Sequence, residues 1–166
     1  MSATTLVETI DILVTGLPEA GKSRFMQTLS PRLIKKQGWH YVHIAVDETL
    51  HMRFLEPPAQ RHFDYLYLRH VIETSSAHGY VVLCDSTHPA LFTRVFGLLQ
   101  TVRAFHEDAP CVVVANKQDH PHAWSVEDIR HCLHIPRSIP VVPCVASQLD
   151  LVRDAVILLL HQSFEA

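Results

Sequence analysis

The sequence has little that would favour membrane insertion, a disulfide framework or binding to nucleic acid. No run approaches the ~18 consecutive apolar residues that span a bilayer. Fourteen Lys and Arg residues against 17 Asp and Glu residues give a formal charge of −3, so no electrostatic attraction to a polyanion is expected. The four cysteines include no close pair of the kind that builds a zinc site, and most lie in or beside apolar runs, which favours buried, reduced thiols.

Both ends of the sequence also lack signals for export or anchoring. The first residues contain no basic segment followed by a cleavable apolar one. Residues 163–166 contain no cysteine for prenylation. We therefore expect a soluble cytoplasmic protein without a membrane anchor in its sequence.

The length and composition favour one globular domain. Chains usually divide into several domains only above ~250 residues, and this chain has 166 residues, of which 48% are hydrophobic and 19% charged. The unusual feature is a set of 13 histidines. Each has an ordinary pKa of ~6.5, so the net charge becomes positive near pH 6. Their spacing predicts no metal site, and we interpret most of them as surface residues.

Predicted strands and helices alternate through almost the whole sequence. Apolar runs predict strands at residues 10–15, 39–46, 50–55, 80–84, 111–115 and 140–145. Helical spacing of apolar residues predicts helices at 22–34, 60–76, 89–105, 125–133 and 149–164. Such alternation is typical of an α/β fold, with a mainly parallel sheet covered by helices on both faces.

A loop with the pattern G-x-x-x-x-G-K-[ST] occupies residues 16–23, between the first predicted strand and the first helix. In such a loop, backbone N–H groups and the positive end of the helix face phosphate oxygens, a lysine neutralises them, and a hydroxyl ligates magnesium. A chance glycine-rich turn is the alternative, which the flanking strand and helix disfavour. The predicted phosphate-binding residues are Glu19, Ala20, Gly21, Lys22, Ser23 and Arg24, and Ser23 is also a predicted magnesium ligand.

A second motif, N-K-Q-D at residues 116–119, follows the fifth predicted strand. An aspartate beside a purine ring can accept hydrogen bonds from N1–H and the 2-amino group of guanine, which adenine cannot donate. We expect Asn116 to tie this loop to the phosphate loop, and the Ala146 N–H after the last strand to bind guanine O6. The predicted guanine-binding residues are Asn116, Lys117, Asp119, Ala146 and Ser147.

With these motifs, and with residues 79–89 and 138–147, the sequence resembles the Ras-like small GTPases, in particular their prokaryotic branch, over essentially its whole length. The resemblance implies a single G domain at residues 1–166, with a six-stranded, mostly parallel sheet, an antiparallel hairpin at its edge, and five helices. It also implies GTP and GDP as ligands with Mg²⁺, two switch segments that differ between the nucleotide states, and hydrolysis assisted by a protein partner.

The sequence departs from the family pattern in both switch segments. No Ser or Thr occurs from residue 31 to residue 48, so the magnesium-binding threonine of the first switch is missing. The second switch, normally D-x-x-G-Q, reads E-P-P-A-Q at residues 56–60. Glu56 is a predicted magnesium ligand, through water, in place of the aspartate. Gln60 is either the catalytic residue that orients water or an ordinary exposed residue. Pro18 stands where many relatives have glycine, and its ring would crowd an arginine finger.

These features predict a guanine-nucleotide-binding regulatory protein with slow GTP hydrolysis and muted switching. A pseudo-GTPase remains an alternative: an interaction subunit, locked with GDP or nucleotide-free, that partners a roadblock- or longin-type protein. A P-loop kinase of small metabolites would use the same phosphate loop. Such kinases usually carry an arginine-rich lid, which is absent from the sequence, and they do not need the N-K-x-D motif.

Overall fold

The computed structural model describes residues 6–59 and 65–164 of the chain. The strands in these residues are β1 (Glu8–Gly16), β2 (Ile34–Lys36), β3 (Trp39–Ala45), β4 (Leu50–Glu56), β5 (Gly79–Asp85), β6 (Cys111–Asn116) and β7 (Val141–Pro143). The helices are α1 (Lys22–Leu29), α2 (Tyr65–Thr74), α3 (Phe92–Phe105), α4 (Val126–Cys132) and α5 (Leu149–Phe164), and a 3₁₀ turn (Pro89–Leu91) precedes α3.

The strands form one mixed sheet in the order β2-β3-β4-β1-β5-β6-β7. The five strands from β4 to β7 in this order run parallel, whereas the β2–β3 and β3–β4 pairs are antiparallel. Helices α1 and α5 cover one face through residues such as Phe25 and Leu159. Helices α2, α3 and α4 cover the other through Ile72, Leu98 and Ile129. The predicted α/β fold, with a hairpin edge and helices on both faces, is confirmed.

The prediction of six strands is wrong, because the segment after α1 forms β2 instead of continuing the helix. The apolar spacing predicts a helix to residue 34, but α1 ends at Leu29, and Ser30 has an extended backbone with φ −153° and ψ 135°. Pro31 follows, and the ring of a proline disfavours the helical conformation of the residue before it. The chain then reverses at Gln37 and Gly38, whose φ angles of 51° and 83° suit a tight hairpin turn.

The carboxyl ends of the parallel strands meet at one edge of the sheet, where open α/β sheets bind their ligands. The loop of residues 16–23 follows β1, and the N-K-Q-D motif begins at the last residue of β6. Glu56 ends β4, and residues 144–147 follow β7. The fold therefore collects the predicted phosphate, base and metal residues at one edge. Within residues 6–59 and 65–164, no helix combines the length and apolar character needed to cross a bilayer.

Candidate functional site

The phosphate loop makes a tight turn between β1 and α1. Glu19 and Gly21 have left-handed backbones, with φ of 66° and 101°. Gly21 also has no space for a side chain, because a Cβ there would lie 2.2 Å from Asn116 Nδ2. This position therefore needs glycine both for its backbone conformation and for the close approach of a second loop. Helix α1 begins at the next residue, so its first N–H groups point toward the loop.

The Lys22 ammonium group lies against the backbone of the phosphate loop. Its Nζ donates hydrogen bonds to the carbonyl oxygens of Gly16, at 2.9 Å, and Leu17, at 2.8 Å. Burial lowers the pKa of Lys22, and the Glu56 carboxylate opposes this shift. The loop thus holds a cation where the pattern requires one for phosphate oxygens.

Ser23 and Glu56 bring oxygen donors together beside the loop. Ser23 Oγ donates to Glu56 Oε1 and Oε2 at 3.1 and 3.2 Å. Glu56 is only 5% exposed, and His40 Nδ1 lies 3.0 Å from its Oε2. Buried polar groups usually have such hydrogen-bond partners.

A hydroxyl and a carboxylate are oxygen ligands of the kind that Mg²⁺ prefers, so Ser23 and Glu56 fit this ion. In the part of the chain that the structure describes, no group of three or more His, Cys, Asp or Glu residues is arranged to hold a metal. A Mg²⁺ site does not require such a group, since that ion usually binds one or two protein groups together with water and substrate phosphates.

Asn116 joins the phosphate loop to the loop after β7. It is 3% exposed, its Nδ2 donates to the Ala20 carbonyl at 2.9 Å, and its Oδ1 accepts the Ala146 N–H at 2.9 Å. Thr28 of α1 adds a link by donating to the Ala146 carbonyl at 2.6 Å. The Ala146 N–H, which is predicted to bind guanine O6, is thus donated to Asn116 in the structure. A base oxygen would share this donor with Asn116 or replace it.

The other residues of the N-K-Q-D motif lie nearer the surface. Lys117 Nζ is 2.6 Å from Asp85 Oδ2 at the end of β5. Burial would raise the pKa of Asp85, but hydrogen bonds from Lys117 and Thr87 outweigh this effect and lower it. Asp119 is exposed, and its carboxylate has no hydrogen-bond or ion-pair partner among the described residues. Both of its oxygens are therefore available to donors from a ligand.

The hairpin of β2 and β3 touches the proline segment that follows β4. A Cβ on Gly38 would lie 3.1 Å from both Cβ and Cγ of Pro58, which shows how closely the turn approaches that ring. Pro57 is buried and Ala59 exposed. The hairpin turn and the proline segment therefore pack directly against each other. Gln60, the predicted catalytic residue, lies outside the described residues.

The remaining predicted phosphate and base residues lie at the surface of the same edge. Glu19 and Arg24 have exposed side chains, as does Ser147, whereas Ala20 is buried. A cleft of about 600 Å³ lies at the opposite ends of β6 and β7 and contains none of the predicted site residues. The site is thus a set of loops at the carboxyl edge of the sheet.

Sequence reasoning misses three side chains that support the site. Thr28, His40 and Asp85 contact Ala146, Glu56 and Lys117, respectively. None of the three belongs to a short motif. The pairing of β3 with β4 places His40 directly opposite Glu56. A correct prediction of the hairpin register would therefore have identified this contact.

Comparison with known proteins supports the same fold. No protein-family model matches the sequence. The chain is similar to ADP-ribosylation factor-like protein 3 of Saccharomyces cerevisiae, with 28% identity over 167 residues that cover 90% of this chain and 83% of the yeast protein. It is also similar to the crystal structure of the G domain of the T. maritima FeoB iron transporter, with a TM-score of 0.71 and 12% identity over 94% of this chain and 99% of that domain. The chain therefore has the Ras-like P-loop GTPase fold, as its motifs predict. Its assignment to a prokaryotic branch stays a prediction.

Proposed function

We propose that residues 1–166 form a G domain that binds GDP and GTP together with Mg²⁺. The observation that carries this proposal is the buried Asn116 bridge, which fixes the phosphate loop relative to the N-K-Q-D motif. On this arrangement, residues 19–24 bind the phosphates and Lys22 neutralises their charge. The free Asp119 carboxylate accepts hydrogen bonds from guanine, with Lys117, Ala146 and Ser147 around the base.

The metal completes the phosphate site in this proposal. Ser23 is a direct ligand and Glu56 holds the ion through water, as the resemblance to small GTPases implies. The ion supplies positive charge to the phosphate oxygens. The 28% identity with an ADP-ribosylation factor-like protein supports a nucleotide-binding role for the whole chain.

We further propose that hydrolysis is slow and that switching is muted. All three residues of β2 pair with β3, and the hairpin turn packs against Pro58. Movement of the first segment toward a γ-phosphate would break these pairs and this contact. The segment also lacks the threonine that senses the γ-phosphate in relatives, and the fixed φ angles of Pro57 and Pro58 restrict the second segment.

Isothermal titration with GDP, a non-hydrolysable GTP analogue and ATP, each with and without Mg²⁺, tests the binding proposal. We expect GDP and the GTP analogue to bind with nearly equal affinity and ATP to bind much more weakly. Asp119→Asn is the matched variant, since its amide donor suits the 2-carbonyl of xanthine in place of the 2-amino group of guanine. Strong ATP binding, or an Asp119→Asn protein that still prefers guanine over xanthine nucleotides, would contradict the guanine assignment.

Single-turnover hydrolysis of bound GTP tests the second part. We expect a rate below that of an unassisted ordinary small GTPase, and a rate at or above it refutes the slow-hydrolysis proposal. Nucleotide extracted from the purified protein separates the pseudo-GTPase alternative. Bound GDP that does not exchange, or no nucleotide and no binding, would favour an interaction subunit with a roadblock- or longin-type partner.

A further inference from the structure

His40 and Glu56 form a directly opposed pair across the antiparallel strands β3 and β4. Opposed residues in such a ladder have Cβ atoms only ~5 Å apart, so the register brings the two side chains together. The Glu56 side chain is 7% exposed and the His40 side chain 25% exposed, and the distance from Nδ1 to Oε2 is 3.0 Å. The pairing of the two strands thus places these side chains in contact, and the contact is partly shielded from water.

The donor in this contact depends on the His40 tautomer. A carboxylate only accepts hydrogen bonds, so His40 supports it as the tautomer that carries a proton on Nδ1. Ser23 donates to the same carboxylate from the other side. Glu56 is therefore held by two donors from different elements, one on β3 and one on α1.

A glutamate needs this support more than the aspartate that it replaces. Its extra methylene gives the carboxylate another rotatable bond, and a ligand that is free to rotate binds a metal less well. Second partners that orient metal-ligating groups commonly contribute a factor of ~10–100 to metal affinity. His40 is in the position of such a partner for Glu56.

We propose that His40 is a positioning residue that holds the Glu56 carboxylate for the divalent cation bound with the nucleotide. This inference rests on the proposed function, because it requires Ser23 and Glu56 to serve a nucleotide-associated metal. It assigns a role to one of the 13 histidines. It also explains how the site accommodates glutamate where its relatives have aspartate.

The test measures release of a fluorescent GDP from the full chain as a function of free Mg²⁺, with EDTA as the metal-free limit. The readout is the Mg²⁺ concentration at which release is half-slowed, compared with the release rate in EDTA. His40→Leu removes the donor, whereas His40→Asn keeps an N–H donor at the position of Nδ1. His43→Leu is the control, since His43 is an exposed histidine on the same strand.

We expect His40→Leu to raise the half-effective Mg²⁺ concentration by ~10–100-fold while leaving the release rate in EDTA within ~3-fold of wild type. His40→Asn restores most of the Mg²⁺ response, and His43→Leu matches wild type. In a Glu56→Gln background, His40→Leu has no further effect. If His40→Leu does not fold, His40→Val replaces it, since a β-branched residue suits a strand and valine carries no hydrogen-bond donor.

Two results overturn the inference and leave the proposed function standing. One is a wild-type Mg²⁺ response in His40→Leu. The other is a change of the same factor with and without Mg²⁺, which indicates a purely structural effect. A wild-type protein that binds no GDP fails the proposed function itself. A protein that binds GDP without any Mg²⁺ response fails the inference and the metal part of the proposed function, but leaves the guanine-nucleotide assignment standing.

Discussion

Replacement of Asn116 by alanine tests whether the base-recognition loop is part of the folded framework before any nucleotide binds. The side chain makes two hydrogen bonds of 2.9 Å, to the Ala20 carbonyl and from the Ala146 N–H. Both partners belong to buried residues, which are 1% and 5% exposed. Asn116→Ala therefore leaves one acceptor and one donor without their partner in places with little access to water.

The size of the effect follows from these two groups. A buried polar group that loses its partner costs about 1–3 kcal/mol, and water that enters the space left by the side chain recovers part of this. We expect the free energy of unfolding to fall by about 2–4 kcal/mol in the absence of nucleotide. That is a large share of the ~5–15 kcal/mol typical of a single domain.

Urea unfolding of the nucleotide-free protein, followed by circular dichroism, measures this loss, and GDP titration of the same samples measures affinity. Asp119→Ala is the control from the same loop. Its carboxylate is exposed and has no partner in the described residues, so its free energy of unfolding should stay within ~0.5 kcal/mol of wild type while GDP affinity falls.

The two variants thus separate a structural bridge from a simple base contact. The reasoning is refuted if Asn116→Ala unfolds at the wild-type urea midpoint with an unchanged m-value and yet loses GDP binding. That result would mean that the residue acts only on the nucleotide and that the two loops are held together by other contacts.

Three further outcomes follow from local geometry. Gly21→Ala should lower both the free energy of unfolding and the affinity for GDP. A left-handed backbone costs alanine about 1–2 kcal/mol, and the new Cβ would lie 2.2 Å from Asn116 Nδ2. Wild-type midpoints in urea unfolding and in GDP titration would contradict this prediction. A thiol reagent at pH 8 should modify one cysteine in the folded protein, the exposed Cys132, and all four cysteines in urea. Rapid modification of a second thiol in the folded protein would contradict this prediction and would show that the core opens. Burial raises the pKa of Cys84 and of Cys111 from 9.0 to about 12. Because these thiols ionise at a lower pH in the unfolded chain than in the folded protein, the free energy of unfolding should decline as the pH rises above 9. The urea midpoint should therefore be lower at pH 10 than at pH 8, and equal midpoints would contradict this prediction.

The parts of the fold that the sequence predicts well are those with local causes. The phosphate loop lies between a β-branched strand and an amphipathic helix, and its positive φ angles fall at glycines and at Glu19. The cap of α4 is also local, because Ser125 Oγ accepts the N–H of Asp128, three residues later, at 3.1 Å.

The parts that escape prediction depend on pairing between distant or irregular segments. β2 has three exposed residues with no strand pattern of their own, and it exists because the turn at Gln37 and Gly38 folds it back onto β3. The contact between His40 and Glu56 requires the register of the hairpin, since a slip of one residue would move His40 to the other face of the sheet.

The residues that depart from the pattern of the small GTPases that the sequence resembles contact each other in space, although they are separate in the sequence. Glutamate in place of aspartate at position 56 is matched by His40 on the neighbouring strand. Gly38 lies against Pro58, and a Cβ on Gly38 would come within 3.1 Å of the proline ring. Because Glu56 contacts His40 and Pro58 lies against Gly38, a change at position 56 or 58 alters a contact with the β2–β3 hairpin. The two segments are therefore best understood as one adapted unit, built on an otherwise ordinary phosphate loop and base-recognition loop.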